Sequence, residues 1–194
     1  MAEHLDEIAK SKAALRDKMR FRRNNFLRNL PAPHKQLMFR ALPSPLAHLL
    51  NDVETVGAYV PFGGEPNILI PLSQKFGNAK TLALPWFEKR GAKMRFRQWI
   101  PGEGLVVGPY RITQPNSESP EVTPQLLLMP LLAFDRHFNR LGQGGGHYDR
   151  YLEHHDPLRI GVAWSVQELD DVPTETTDVP LDAIITETEW ISRT

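Results

Sequence analysis

The 194-residue chain contains no cysteine. That absence excludes disulfides, thiolate metal sites and a cysteine nucleophile, and it suits a reducing compartment. A surplus of charge is missing too: 23 Lys and Arg balance 23 Asp and Glu. No global field therefore selects nucleic acid or an anionic membrane as partner, and any basic site must be local. Nor does any apolar run approach the roughly 20 residues that a bilayer span requires, and the N-terminus offers no apolar signal-like core. The basic N-terminal segment carries Glu3, Asp6, Glu7 and Asp17, acids that organelle presequences avoid. A cytoplasmic protein that makes no use of membrane or nucleic acid is expected. The length suits one domain with one core and is short for two.

Apolar spacing predicts a helix over residues 3 to about 29, with Leu5, Ile8, Leu15, Met19 and Phe26 on one face. Pro31 and Pro33 end it. A second helical stretch at 34–50 contains Pro43 and Pro45, which should break or kink it. Short apolar or alternating runs at 55–60, 81–84, 93–99, 126–129, 159–163 and 183–186 read as strands, with helical pieces at 67–76 and 148–155. Continuous apolar strands separated by helices predict a single three-layer α/β/α domain with a mostly parallel sheet. The alternating run at 93–99 suits an edge or a hairpin. Residues 102–124, rich in Gly, Pro, Ser and Glu, read as a long binding loop or lid.

Residues 140–149, Arg-Leu-Gly-Gln-Gly-Gly-Gly-His-Tyr-Asp, set four glycines between an arginine and an aspartate. Glycine permits positive φ and close approach to the main chain, so successive N–H groups can converge on phosphate oxygens. Arg140 would orient phosphoryl oxygens, whereas Asp149 cannot touch phosphate and would hold Mg²⁺. The same run also suits a tight turn before a helix, with Asp149 as the cap. It is not the dinucleotide fingerprint, whose last glycine is replaced by His147. No Gly-Lys-Ser/Thr follows, so it is not a P-loop either.

Other candidates admit two roles each. Lys12 and Arg16 are neighbours one helical turn apart, and Lys12 lies inside the apolar stripe, where a cation snorkels or meets a buried anion. Lys10, Lys18, Arg20, Arg22 and Arg23 read as a solvated surface or a weak nucleic-acid patch. Glu65 lies in the turn after the strand at 55–60, and such strand ends face the ligand crevice of open α/β sheets. Its carboxylate could accept paired N–H donors from a planar ligand, although from sequence alone a turn or helix cap is the simpler role. Of the aromatic groups able to stack on rings, Tyr148 ranks first because it sits in the glycine loop. His147, His154 and His155 lack the spacing of a metal pair.

The segments at 128–135 (Leu-Met-Pro-Leu-Leu-Ala-Phe-Asp) and 139–150 (Asn-Arg-Leu-Gly-x-Gly-Gly-Gly-x-Tyr-Asp-Arg) resemble the signature of the 5-formyltetrahydrofolate cyclo-ligase family. Weaker likeness extends to Ser11-Lys12-x-x-Leu15-Arg16, 59–65, 161–167 and 182–187. The resemblance implies a fold similar to the NagB/RpiA/CoA-transferase-like group. It also implies a monomeric enzyme that uses ATP and Mg²⁺ to convert 5-formyltetrahydrofolate, with or without a polyglutamate tail, to 5,10-methenyltetrahydrofolate. Phosphorylation of the formyl oxygen would be followed by ring closure through N10, releasing ADP and phosphate.

By the same resemblance, Lys12, Arg16 and Arg140 bind ATP together with Leu141, Gly142, Gln143, Gly144, Gly145, Gly146, His147 and Tyr148, and Arg140 is also catalytic. Val60, Glu65 and Tyr148 bind the folate, and Asp149 with Asp182 holds Mg²⁺. The chain departs from the family pattern at Gln114, Gln143, Gly145 and His147. Two rival readings stay open: a folate- or nucleotide-binding relative without turnover, and an RNA-binding regulator using the basic helix, which leaves the glycine loop unexplained.

Overall fold

Each apolar strand expected from the sequence is covered on both faces. A computed structural model describes residues 2–76 and 80–193. The first half comprises α1 (Ala2–Asn29), α2 (Ala32–Leu37), α3 (Ser44–Leu49), β1 (Thr55–Gly57), α4 (Leu69–Phe76), β2 (Thr81–Trp86) and β3 (Arg95–Gln98). A hairpin follows, β4 (Val106–Val107) with β5 (Thr113–Gln114), then β6 (Leu126–Pro130), and a second hairpin, β7 (Ala133–Phe134) with β8 (Arg140–Leu141). The chain closes with α5 (His147–Leu152), β9 (Leu158–Val162), β10 (Ala183–Ile185) and β11 (Trp190–Ser192).

Seven strands form one sheet in the order β11-β10-β9-β6-β1-β2-β3. The central five run parallel; β3 and β11 close its edges antiparallel. Side chains alternate across it as strand geometry requires. Leu126, Leu128, Val56 and Ile185 point to the face that carries α3 and α4, where Leu46, Leu69 and Leu72 pack. Leu127, Met129 and Ile184 point to the other face, against Tyr151 and Leu152 of α5 and Phe134 and Phe138. The mostly parallel, doubly covered sheet is thus observed, and the run at 93–99 supplies the edge strand β3.

The details differ where tertiary contacts outvote local pattern. The stretch at 34–50 splits into α2 and α3, each with proline in its first turn, because proline starts a helix far better than it continues one. The loop at 102–124 contains the β4–β5 hairpin, β7–β8 folds back beside the glycine loop, and β11 follows β10. Strands of two or three residues show no period to read. On α1, Lys12, Leu15, Met19, Arg23 and Phe26 turn inward; the side chains of Leu5 and Ile8 lie outside the described residues. Among the described residues no helix is long and apolar enough to cross a membrane.

Close strand packing leaves no room at Gly57, where an added Cβ would lie 2.3 Å from Leu127 Cδ2 and 2.9 Å from Pro124 Cγ. Gly57→Ala should therefore overpack the centre of the sheet and cost about 1–3 kcal/mol. A thermal melt checks this, and a wild-type Tm would show that Leu127 moves aside freely.

Candidate active site

The parallel strands β1, β2 and β6 end at a cavity of about 530 Å³, lined at those ends by Tyr59, Pro85 and Pro130. This is the carboxyl edge, where open α/β sheets receive ligands. Every residue singled out by the family resemblance lines it, with the single exception of Asp182.

The glycine loop forms one end. Gly144 (φ 100°) and Gly146 (φ 59°) adopt left-handed conformations, which only glycine takes without strain, and Gly146 is the residue that opens α5. Arg16 reaches over from α1, and its Nε donates to Gly142 O at 3.0 Å. A Cβ at Gly144 would press on Arg16 Cζ at 3.2 Å. Arg140, 8% exposed on β8, places Nη2 2.5 Å from Asp149 Oδ1 and donates through Nη1 to Val179 O. An arginine fork, a run of glycine amides and a carboxylate therefore share one wall.

Lys12 is itself buried and meets two partly exposed carboxylates rather than snorkelling. Its Nζ lies 2.8 Å from Glu175 Oε2 and 2.5 Å from Asp178 Oδ2, at 4% exposure. Asp178 also accepts the Glu175 backbone N–H at 2.8 Å, so the carboxylates of this turn face the cavity beside Lys12.

Asp182 requires a correction. It precedes β10 at the amino edge of the sheet, and its carboxylate takes the Arg159 backbone N–H and Nε at 2.8 Å and Nη2 at 2.9 Å. Burial pushes its pKa up, but the Arg159 bonds outweigh that and hold it below the usual aspartate value. The structure therefore does not bring it to Asp149. Among the described residues, no group of three or more His, Asp or Glu side chains is assembled for a metal.

The half-buried Glu65 caps its own turn and touches the glycine loop: Oε2 accepts the Phe62 N–H at 3.1 Å, while Oε1 takes Gln143 Nε2 at 3.3 Å. Burial raises its pKa, opposed by the Phe62 bond and by Arg23. Val60 and Tyr148 line the same cavity. Burial pushes the hydroxyls of Tyr59 and Tyr148 well up, so both stay neutral donors at ordinary pH. The solvated reading of the α1 cations fails for Arg23, which is 3% exposed. Arg20 keeps a side chain 39% exposed while binding Gln143 Oε1 through Nε and Nη2 at 3.3 and 3.1 Å. The helical spacing 12, 16, 19, 23 carried that signal, because it places Arg23 on the inward stripe.

The four departures from the family pattern have structural accounts. Gln143 joins Arg20 to Glu65. His147 packs its ring against Phe87 and Tyr110, with centroids at 4.7 and 5.3 Å. A Cβ at Gly145 would meet that ring at 2.7 Å, so the absence of a side chain at 145 and the imidazole at 147 go together. Burial lowers the His147 pKa, with Arg150 adding to the effect. Gln114, 4% exposed, pairs both amide groups with the backbone of Phe87 at 3.1 Å. A glutamate there could not donate.

The family model described as the 5-formyltetrahydrofolate cyclo-ligase family matches residues 8–187. The chain belongs to that family. It is 32% identical over 147 residues to the 5-formyltetrahydrofolate cyclo-ligase of Escherichia coli (strain K12), an overlap of 70% of this chain and 81% of that protein. Against the cyclo-ligase of Mycolicibacterium smegmatis the identity is 30% over 169 residues, covering 82% and 87%. A solved 5,10-methenyltetrahydrofolate synthetase from Aquifex aeolicus aligns with a TM-score of 0.77 at 30% identity, covering 93% and 92% of the two chains. One from Mycoplasma pneumoniae, at 23% identity and a TM-score of 0.66 over 91% and 98%, shares the fold.

For this cyclo-ligase family member, Asp182→Asn should lower stability by roughly 1–2 kcal/mol at neutral pH, since it weakens charge-assisted bonds to Arg159. The lowered native pKa fixes the sign. The contribution is present above the ordinary aspartate value near 3.9 and is lost as pH falls through the native value. The Tm gap between the two proteins should therefore close in acid, with Mg²⁺-dependent ATP affinity unchanged. Weakened Mg²⁺–ATP binding at an unaltered Tm would return Asp182 to the metal.

Proposed function

We propose that this cavity binds ATP and 5-formyltetrahydrofolate side by side and forms 5,10-methenyltetrahydrofolate, ADP and phosphate, the activity of the family to which the chain belongs. The observation that carries the reading is the cavity's lining. It brings together Arg140, Arg16, Lys12 and glycine-loop amides, suited to phosphates, with the Glu65 carboxylate, Val60 and Tyr148, suited to a ring bearing paired N–H donors.

The formyl oxygen on N5 attacks the γ-phosphorus, breaking its bond to ADP; N10 then attacks the activated carbon, and phosphate leaves as the ring closes, taking up the proton that N10 gives up. No covalent nucleophile is needed. The chain's tasks are in-line positioning and charge neutralisation. Arg140 and the amides of residues 142–146 hold the transferred phosphoryl group, while Arg16 and Lys12 hold the neighbouring phosphates. The donor chemistry fits magnesium, an oxygen-seeking ion that keeps much of its water: Asp149 and Asp178 face the cavity and would hold it, where it would neutralise phosphate charge. Asp178 replaces Asp182 in that role because it lines the cavity beside Lys12.

Incubation with ATP, Mg²⁺ and 5-formyltetrahydrofolate should generate the methenyl chromophore, and its absence in folded protein overturns the proposal. Arg140→Ala should slow turnover by on the order of 10³ or more while retaining the fold; near-wild-type kcat would remove Arg140 from the chemistry.

Glu65 must be ionised to accept two N–H donors, and burial raises its pKa. Folate affinity is then present above that raised value and lost as pH falls through it. The acid limb of kcat/KM for the folate should accordingly lie above about 4.3, the ordinary glutamate value. Glu65→Gln should abolish that limb and weaken folate binding by about 1–3 kcal/mol with ATP affinity unchanged. Lost stability alone would leave Glu65 a turn cap.

A further inference from the structure

We infer that Arg23 is a positioning residue for Glu65: its buried guanidinium ties down the turn that carries Glu65 and places positive charge behind that carboxylate. The inference rests on the folate-binding reading of Glu65.

The turn at 62–66 is fastened from several directions. Arg23 Nη2 donates to Gly63 O at 2.7 Å, Trp164 Nε1 to Gly64 O at 2.9 Å, and Tyr59 Oη to Pro66 O at 2.7 Å. Arg23 is unlike the other two fasteners. It is 3% exposed, and its Nε and Nη1 find no hydrogen-bond partner among the described residues. A buried cation with unanswered donors is costly, and an apolar side chain of similar length commonly serves a core as well or better. Stability therefore does not account for a guanidinium at this position.

Charge on Glu65 does. The groups that face its carboxylate are Arg23 from α1, Gln143 from the glycine loop, the Phe62 N–H of its own turn, and Tyr59 and Tyr148, which are neutral. Arg20 reaches Glu65 only through Gln143. Arg23 is the cation among them whose field opposes burial of the carboxylate directly. Burial in turn lowers the Arg23 pKa, with Glu65 acting against it, as expected of two opposite charges that support each other without touching.

The test compares Arg23→Met, Arg23→Lys, Trp164→Phe and Glu65→Gln by thermal melt, by KM for each substrate, and by the acid limb of kcat/KM for 5-formyltetrahydrofolate. Arg23→Met should melt close to wild type, raise the folate KM about tenfold or more, and leave the ATP KM within about twofold. Its acid limb should move up by about one pH unit, the low end of what a neighbouring charge does to a carboxylate. Arg23→Lys should keep the limb near its wild-type position. Trp164→Phe, which removes a bond to the same turn but no charge, should lower Tm without moving the limb.

Equal changes in both KM values, an unmoved limb in Arg23→Met, or an equal movement in Trp164→Phe would overturn the inference. If Arg23→Met does not fold, the neutral Arg23→Gln is read by the same criteria. Folate binding lost in Glu65→Gln but intact in Arg23→Met sinks the role of Arg23 alone. Folate binding intact in Glu65→Gln sinks the reading of Glu65 and this inference with it.

Discussion

Lys12, held between Glu175 and Asp178, fixes how the rest of the site is assembled. It joins α1 to a turn 163 positions away along the chain, with its own side chain buried and the two carboxylates partly exposed. With α1 clamped there, its helical repeat sets where each later cation lands. Arg16 falls on Gly142, Arg20 on Gln143 and Arg23 on Gly63, so one helix reaches both the glycine loop and the turn that carries Glu65. The cations that look like surface charge in the sequence are a row of contacts.

Each cation assigned to phosphate on the proposed reading has a partner within the protein. Lys12 is answered by two carboxylates, Arg140 by Asp149 and the Val179 carbonyl, and Arg16 by the Gly142 carbonyl. On that reading, phosphates entering the cavity compete with those partners, and carboxylates released beside a polyanion would repel it. An oxygen-seeking divalent ion would remove the conflict by taking up carboxylates as the cations turn to phosphate. The pairing is thus a reason for nucleotide and metal to bind together.

How much of this was legible in the sequence depended on whether a feature was local. The strands at 126–129, 159–163 and 183–186 could be read because both faces are buried and nearly every position, Arg159 apart, is apolar or small. The signature at 139–150 could be read because its four glycines fall within five positions. Hairpins of two-residue strands could not, since β4–β5 is fastened by Gln114 to the backbone of Phe87, a contact across 27 positions. Asp178 and Asp182 stand four residues apart with the same chemistry. What separates them is that one lies in a turn facing Lys12 and the other begins β10 at the opposite sheet edge. Charge alone assigns Arg23 to solvent, although its spacing from Lys12, Arg16 and Met19 places it inward. For that residue periodicity is the better guide.

On the proposed reading, the cavity's lining also discriminates between its ligands. Tyr59 and Tyr148 stay neutral, so Glu65 is the carboxylate that rewards N–H donors beside Val60, with Arg23 offsetting part of its charge. Arg140, Arg16 and Lys12 draw phosphate, while Asp149, Glu175 and Asp178 beside them repel it unless a cation intervenes. A polar cavity of this kind discriminates by mismatch as much as by attraction. It needs its charges in place before substrate arrives, because dipoles fixed in advance need no reorganisation during the reaction. Holding Arg23 with unanswered donors and Glu65 half out of water costs stability, which the sheet buried on both faces offsets.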